Sequence, residues 1–319
     1  MTLACHGYDR VQPLKDGTVQ PEGIELRFID LPVEEIFFRQ GSFLEFDASE
    51  IGMSQLMLRD PRQLPFVAIP AFVSRMFRHS CIFVNPERGI RCPEDLRGKR
   101  IGVPEYPMAA AIWVRGLLAD DYGVTPDQIE WFTGGLETPG RVAKVKIELP
   151  SDIHVQAIPS NETLNVWLES GRLDGYVGPR APKTDRVARL FPNFENVEAD
   201  YFRRTGVYPI MHCVAIRREL YEREPWVAQS LYKSFVAAKD VALREMDQTS
   251  SLQTMLPWMH AMLASTKTLM GPDIYPYGVD ASRKTLETMA RYCREQHLVP
   301  QTAAIDELFA RNTYAEYKI

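Results

Sequence analysis

Lys99-Arg100-Ile101-Gly102-Val103-Pro104-Glu105-Tyr106-Pro107, running on into Ala109 to Ala119, decides the fold class. A short apolar run after a basic start reads as a strand, the prolines make a turn, and the periodic apolar stretch beyond it reads as a helix. Such β-α units build α/β domains with mostly parallel sheets. The free N–H groups and positive dipole end of a helix placed this way form a ready seat for a carboxylate.

Working outward, the same alternation recurs on both sides. Thr2 to Cys5 and Ile24 to Ile29 read as the first two strands, separated by the turn residues Lys15-Asp16-Gly17 and Pro21-Glu22-Gly23. Pro32 to Phe38 reads as a helix with proline and acids in its first turn, where the helix dipole favours them. Phe46 to Gly52 follows as a strand, Phe66 to Phe72 as a buried strand leading into a loop from Val73 to His79, and Cys81 to Val84 as another strand. Beyond the opening unit come strands at Ile129 to Phe132 and Leu173 to Val177, the second fed by a helix from Asn161 to Ser170. A return segment, Val207 to Ile216, precedes helices at Pro225 to Arg244, Leu252 to Met270 and Arg283 to Arg294.

With 319 residues, 45% hydrophobic and 25% charged, the length suits two α/β lobes with a ligand cleft between them better than one core. The composition turns polar at Asn85-Pro86, which sets the expected division: residues 1–85 with 207–319 as a discontinuous first lobe, and 86–206 as a second lobe inserted in it.

The formal net charge of -5 argues against nucleic acid as a partner, because phosphate binding needs a basic surface. Five widely spaced cysteines without a CxxC pair read as reduced thiols, neither a disulfide frame nor a zinc site. Thr2-Leu3-Ala4-Cys5 lacks the basic start and apolar segment of a lipoprotein leader, so it is expected to be a strand in a cytoplasmic protein. No apolar stretch reaches the roughly eighteen residues of a membrane span, and no membrane partner is expected. Trp226, Trp258 and several methionines in the C-terminal helices suit a subunit interface as well as a core, and a homo-oligomer is expected.

At this point the residues resemble the 4,5-dihydroxyphthalate decarboxylases, which are similar in fold to type II periplasmic solute-binding proteins. The matching stretches run through most of the chain: Ala4 to Leu14 with Tyr8-Asp9-Arg10, Glu45 to Glu50, Ser74-Arg75-Met76-Phe77-Arg78-His79-Ser80, Asp95 to Tyr106, Ala110 to Gly116, Pro139-Gly140-Arg141, Pro209-Ile210-Met211-His212 and Tyr275-Pro276-Tyr277-Gly278. The segment around Arg75 and the one ending at His212 are the specific ones. The entry from Leu96 to Pro104 is shared by binding proteins of many specificities. The resemblance implies a two-lobed type II periplasmic-binding-protein-like fold, a small aromatic carboxylate as substrate, and decarboxylation without a cofactor. A non-catalytic solute-binding or sensing protein for an aromatic or heterocyclic acid is the rival reading.

Loss of carbon dioxide from such a ring needs cations for two carboxylates, an acid near the ring carbon and an acceptor for the phenol. Arg75, Arg78 and His79 lie within five residues, and an arginine fork with a histidine beside it can hold a carboxylate and deliver a proton. From spacing alone they read first as a solvated basic loop or an ion pair; the resemblance favours substrate binding by Arg75 and Arg78 and catalysis by His79. His212 lies in an apolar run and reads as a hydrogen-bonded core residue, or, with the resemblance, as a second acid-base group facing His79 across the cleft. Glu105 precedes a helix start, where it either caps or accepts the phenol proton. Arg115, two turns into that helix, reads as salt-bridged or as a substrate contact, and Arg141 as an exposed loop residue or one that closes on the ligand. Glu50 and Ser54 end a strand where this frame offers polar contacts, and Arg180 follows another strand in the same way. The remaining histidines have no metal-like i, i+4 pairing, so no metal is expected.

Overall fold

The computed structural model describes residues 1–141, 147–252 and 254–314. Its strands are β1 (Thr2–Cys5), β2 (Arg27–Asp30), β3 (Ala48–Gly52), β4 (Phe66–Arg75), β5 (Ile82–Val84), β6 (Arg100–Val103), β7 (Glu130–Thr133), β8 (Val155–Ala157), β9 (Gly175–Val177), β10 (Ala188–Arg189) and β11 (Ile210–Arg217). The chain divides into two compact units. Met1–Arg75, Ile210–Leu286 and the segment from Ala303 onward make the first, and Met76–Pro209 with Glu287–Thr302 make the second.

In the first unit the sheet order is β2-β1-β3-β11-β4. β1 is parallel to β2 and β3, while β11 is antiparallel to both β3 and β4. Leu3, Ala4, Cys5 and all of β3 are buried. The sheet is mixed, where mostly parallel strands were expected, because β11 returns from a long excursion and inserts against the direction of its neighbours. Val73 to Arg75, expected as loop, are strand: β11 supplies them with partners, Ile210 opposite Arg75 and His212 opposite Ser74. The register then skips to Val214 opposite Ile69. Pro70, which has no N–H to give, sits in that irregularity on an edge strand, where proline is tolerated. Within that skip, the Val73 carbonyl accepts from the side chains of Arg10 and Tyr275.

The second unit has the order β10-β5-β9-β6-β7-β8. β6, β7, β8 and β9 run parallel, and β5 and β10 are antiparallel at one edge. The helix Ala109–Tyr122 is enclosed from Ala109 through Leu118, with Gly123 in the left-handed conformation at its end. Read from sequence as periodic, it is buried all round because nearly every residue on every face is apolar. A core of Phe83, Leu136, Ile158, Leu164, Leu168, Leu173 and Tyr176 packs about β9. Burying each such large side chain contributes roughly 1.5–3 kcal/mol. Gly102 belongs to this packing, since a Cβ there would lie 2.8 Å from Leu173 and 3.2 Å from Leu164.

Each sheet has one place where the chain reverses its order of winding. In the first unit β2 lies on one side of β1 and β3 on the other, so a crevice opens between β1 and β3 at their carboxyl ends. In the second unit the chain winds outward from β6 through β7 to β8 and returns to β9 on the other side of β6. The corresponding crevice lies past Val103 and Val177.

Candidate active site

At the carboxyl edge of the first sheet, Glu50 in β3 is fully buried. Its Oε1 accepts from the Tyr8 hydroxyl at 2.7 Å and bonds His212 Nδ1 at 2.6 Å. Its Oε2 accepts from the His6 backbone N–H at 3.1 Å and from Cys5 Sγ at 3.6 Å. Burial by itself raises the Glu50 carboxyl. The His212 imidazole, the Tyr8 hydroxyl and the His6 N–H outweigh it, so the group is held below the usual carboxylate value and is ionised at neutral pH. An ionised Glu50 assigns the proton to His212 Nδ1 and leaves Nε2 as the nitrogen that can exchange a proton elsewhere. The His212 ring stands edge-on to Phe37, 5.1 Å between centroids, and keeps 20% of its side chain exposed. Ser54 lies in the first turn of the short helix Met53–Met57 that leaves β3, four residues past Glu50.

Tyr8 also covers one face of Arg10, whose guanidinium carbon lies 4.1 Å from that ring centroid and 4.4 Å from that of Tyr275. Arg10 Nε and Nη2 donate to the Val73 carbonyl, within the β4 irregularity, at 2.8 and 2.5 Å. Nη1 donates to Asp9 Oδ1 at 3.0 Å.

The edge of the second sheet is built differently. Glu105, nearly buried, follows β6 and accepts at Oε1 from Arg141 Nε at 3.0 Å and Nη2 at 2.8 Å. Arg180, after β9, is exposed.

The structure thus brings Glu50 to His212 and Glu105 to Arg141. It sends Arg75, Arg78 and His79 into separate surroundings. Arg75 Nη2 donates to the Pro276 carbonyl at 2.7 Å and to Ser282 Oγ at 2.5 Å, inside the first unit. Arg78, in the second, contacts Cys81 Sγ at 3.4 Å. His79 is 1% exposed, with Phe191 and Tyr201 edge-on to its ring and neither ring nitrogen hydrogen-bonded. Burial lowers its pKa to about 4, so it is neutral at physiological pH. Arg115 is enclosed, its Nε on Gln296 Oε1 and its Nη2 on the Tyr106 carbonyl, both at 2.8 Å, with the Tyr106 ring 3.7 Å beneath it. Sequence reasoning missed Tyr8, Arg10 and the His6 N–H as parts of a site. The available signal was position, since Tyr8-Asp9-Arg10 directly follows the carboxyl end of the first strand. Among the described residues no group of three or more His, Cys, Asp or Glu side chains is gathered as a metal ion would need. No described helix is long and apolar enough to cross a membrane.

Comparison with known proteins adds kinship. Residues 49–147 match the NMT1/THI5-like family. The chain is 36% identical over 325 residues to a 4,5-dihydroxyphthalate decarboxylase of Comamonas testosteroni, covering 100% of this chain and 98% of that one. It is 38% identical over 209 residues to a protein of the same name from Pseudomonas putida, covering 64% of this chain and 81% of that one. In fold it is similar to the periplasmic aliphatic sulphonate binding protein SsuA from Escherichia coli, with a TM-score of 0.54, 13% identity and 98% of both chains covered. A sulphonate-binding protein from Methylobacillus flagellatus gives 0.51 at 13% identity, covering 97% of this chain and 90% of that one. These likenesses establish a fold of the periplasmic-binding-protein type.

Proposed function

We propose the reaction from a premise of kinship: the chain belongs to the 4,5-dihydroxyphthalate decarboxylase family, and it is a carboxy-lyase that releases carbon dioxide from a dihydroxylated phthalate. The observation that carries the chemistry is the hydrogen bond between His212 and buried Glu50 at the winding reversal of the first sheet. His212, as imidazolium, gives the Nε2 proton to the ring carbon that bears the departing carboxylate, while the hydroxyl para to it releases electron density into the ring. The bond from ring to carboxylate then breaks, its electron pair restores the aromatic ring, and 3,4-dihydroxybenzoate and carbon dioxide leave. One proton is consumed per turnover, and the imidazole recovers it from solvent. Glu50 holds Nδ1 and fixes the ring's orientation. The phenol itself is the electron source, so no step in this scheme calls on a metal or organic cofactor.

His212 is assigned this role ahead of His79 because its Nδ1 is held by a carboxylate and its side chain keeps 20% of its surface exposed. His79 is neutral and enclosed by Phe191 and Tyr201. The unpaired state of all five cysteines supports a cytoplasmic setting. The exposed Met255, Leu256, Trp258 and Met262 support a homo-oligomer with this face covered, which light scattering on the purified protein tests.

The experiment is carbon dioxide release from 4,5-dihydroxyphthalate by chelator-treated protein, with binding followed by thermal shift. Turnover is expected. Binding with no turnover would replace the enzyme with a solute-capturing relative.

A further inference from the structure

We infer that Arg10 is the clamp for the carboxylate that stays on the ring, an assignment that rests on the site proposed above. Three of the arginine's five N–H groups are used: Nε–H and one Nη2–H on the Val73 carbonyl, and one Nη1–H on Asp9. One N–H remains on each Nη with no acceptor among the described residues, and a guanidinium can give two such groups to a carboxylate as parallel bonds. The rest of the group is immobilised. Tyr8 and Tyr275 cover both faces of the guanidinium. Tyr8 is fixed by its bond to Glu50, and the Tyr275 hydroxyl accepts the Arg75 backbone N–H at 2.6 Å. The side chain keeps 17% of its surface exposed. A cation held this way loses little freedom on binding. Tyr8 is the shared neighbour of this fork and of the Glu50–His212 pair, and that places anion binding beside the proton donor.

The chemistry decides which carboxylate the fork holds. The departing group must shed its negative charge as it becomes carbon dioxide, and a bidentate cation on it would stabilise the substrate more than the transition state. The retained carboxylate keeps its charge throughout and is present in the product.

The assignment therefore predicts that Arg10→Lys, which keeps the charge and loses the fork, weakens substrate and product together. KM for 4,5-dihydroxyphthalate and the dissociation constant of 3,4-dihydroxybenzoate should rise by the same factor, about tenfold or more, with kcat within about threefold of wild type. In Arg10→Ala, added guanidinium ions should restore product binding. A rise in KM with unchanged product affinity would move Arg10 to the departing carboxylate, and two unchanged constants would remove it from the site. A fall in thermal midpoint with product binding that guanidinium fails to restore would make its role structural. Product binding is read by calorimetry without turnover, so this arm stands apart from the fate of His212 as proton donor.

Discussion

The crevice between β1 and β3 and the crevice between β6 and β9 occupy the same topological position in their sheets, and each is furnished with a buried or nearly buried carboxylate. In the first, Glu50 ends on a histidine. In the second, Glu105 ends on an arginine. A guanidinium does not give up its proton in a protein, so the Glu105–Arg141 pair can fix charge but cannot relay a proton. A carboxylate–imidazole pair can do both. Topology chooses where polar groups collect, and the residue that answers the carboxylate decides whether the pair can relay a proton.

The largest effect that tests this contrast is on His212. His212→Asn should lower kcat by about 10²–10⁴-fold, the range for loss of a general acid, with product affinity little changed. A variant retaining a tenth of wild-type turnover would move the proton donor elsewhere and break the comparison. Glu50→Gln should cost less, roughly 10–100-fold in kcat, because the imidazole remains but loses the carboxylate that orients it. Crystallography or NMR should find the His212 ring less ordered. At the other edge, Glu105→Gln should lower turnover by less than about tenfold, since it removes a charge pair and no proton path. A loss equal to that of His212→Asn would show that both edges do chemistry.

The smallest effect on turnover belongs to His79. Its folded pKa of about 4 lies below the ordinary 6.5, so the unfolded chain binds more protons across that interval. Stability is accordingly unpenalised above pH 6.5 and falls as pH drops towards 4, by about 3 kcal/mol at the limit. His79→Leu removes this loss and two buried nitrogens that have no hydrogen bond. Acid unfolding followed by circular dichroism should show its midpoint moved to lower pH, with kcat at neutral pH near wild type. A large drop in kcat would return His79 to the chemistry.

Much of the frame was legible in local pattern. The entry at Lys99 to Ala119 and the burial of Phe66 to Phe72 follow from runs of apolar residues bounded by turns, whereas Val207 to Ile216 read only as a return segment and its strand depends on the neighbours it finds. Boundaries slipped where a partner decides them, as at Val73 to Arg75, and where a breaker was passed over. The helix expected from Leu252 begins at Met259, two residues past Pro257. Glu50 and His212 could each be named as candidates, yet their pairing depends on β11 lying beside β3, across 162 residues of sequence. Arg75 and His79 show the converse. Four residues apart, they belong to different units because the chain leaves the first unit after Arg75. Arg10 was hidden for a third reason, since what holds it, the Val73 carbonyl and the rings of Tyr8 and Tyr275, comes from segments far apart in the sequence.

The insertion of β11 between β3 and β4 also sets a timetable for the growing polypeptide. Until residues 210–217 leave the ribosome, β4 has no neighbour in the first sheet and β3 has one open side. All strands of the second sheet lie between them in the message. At about 5–20 residues per second, the ribosome takes roughly 10–30 s to travel from Glu50 to His212. The second sheet therefore has the opportunity to form while the first still waits with strand edges open, although its unit is completed only by residues 287–302, and this is the interval in which edge-to-edge aggregation threatens. A nascent chain released early, before residue 210, would carry an intact second sheet tethered to an unclosed first one, and holding chaperones would be expected to engage that first segment.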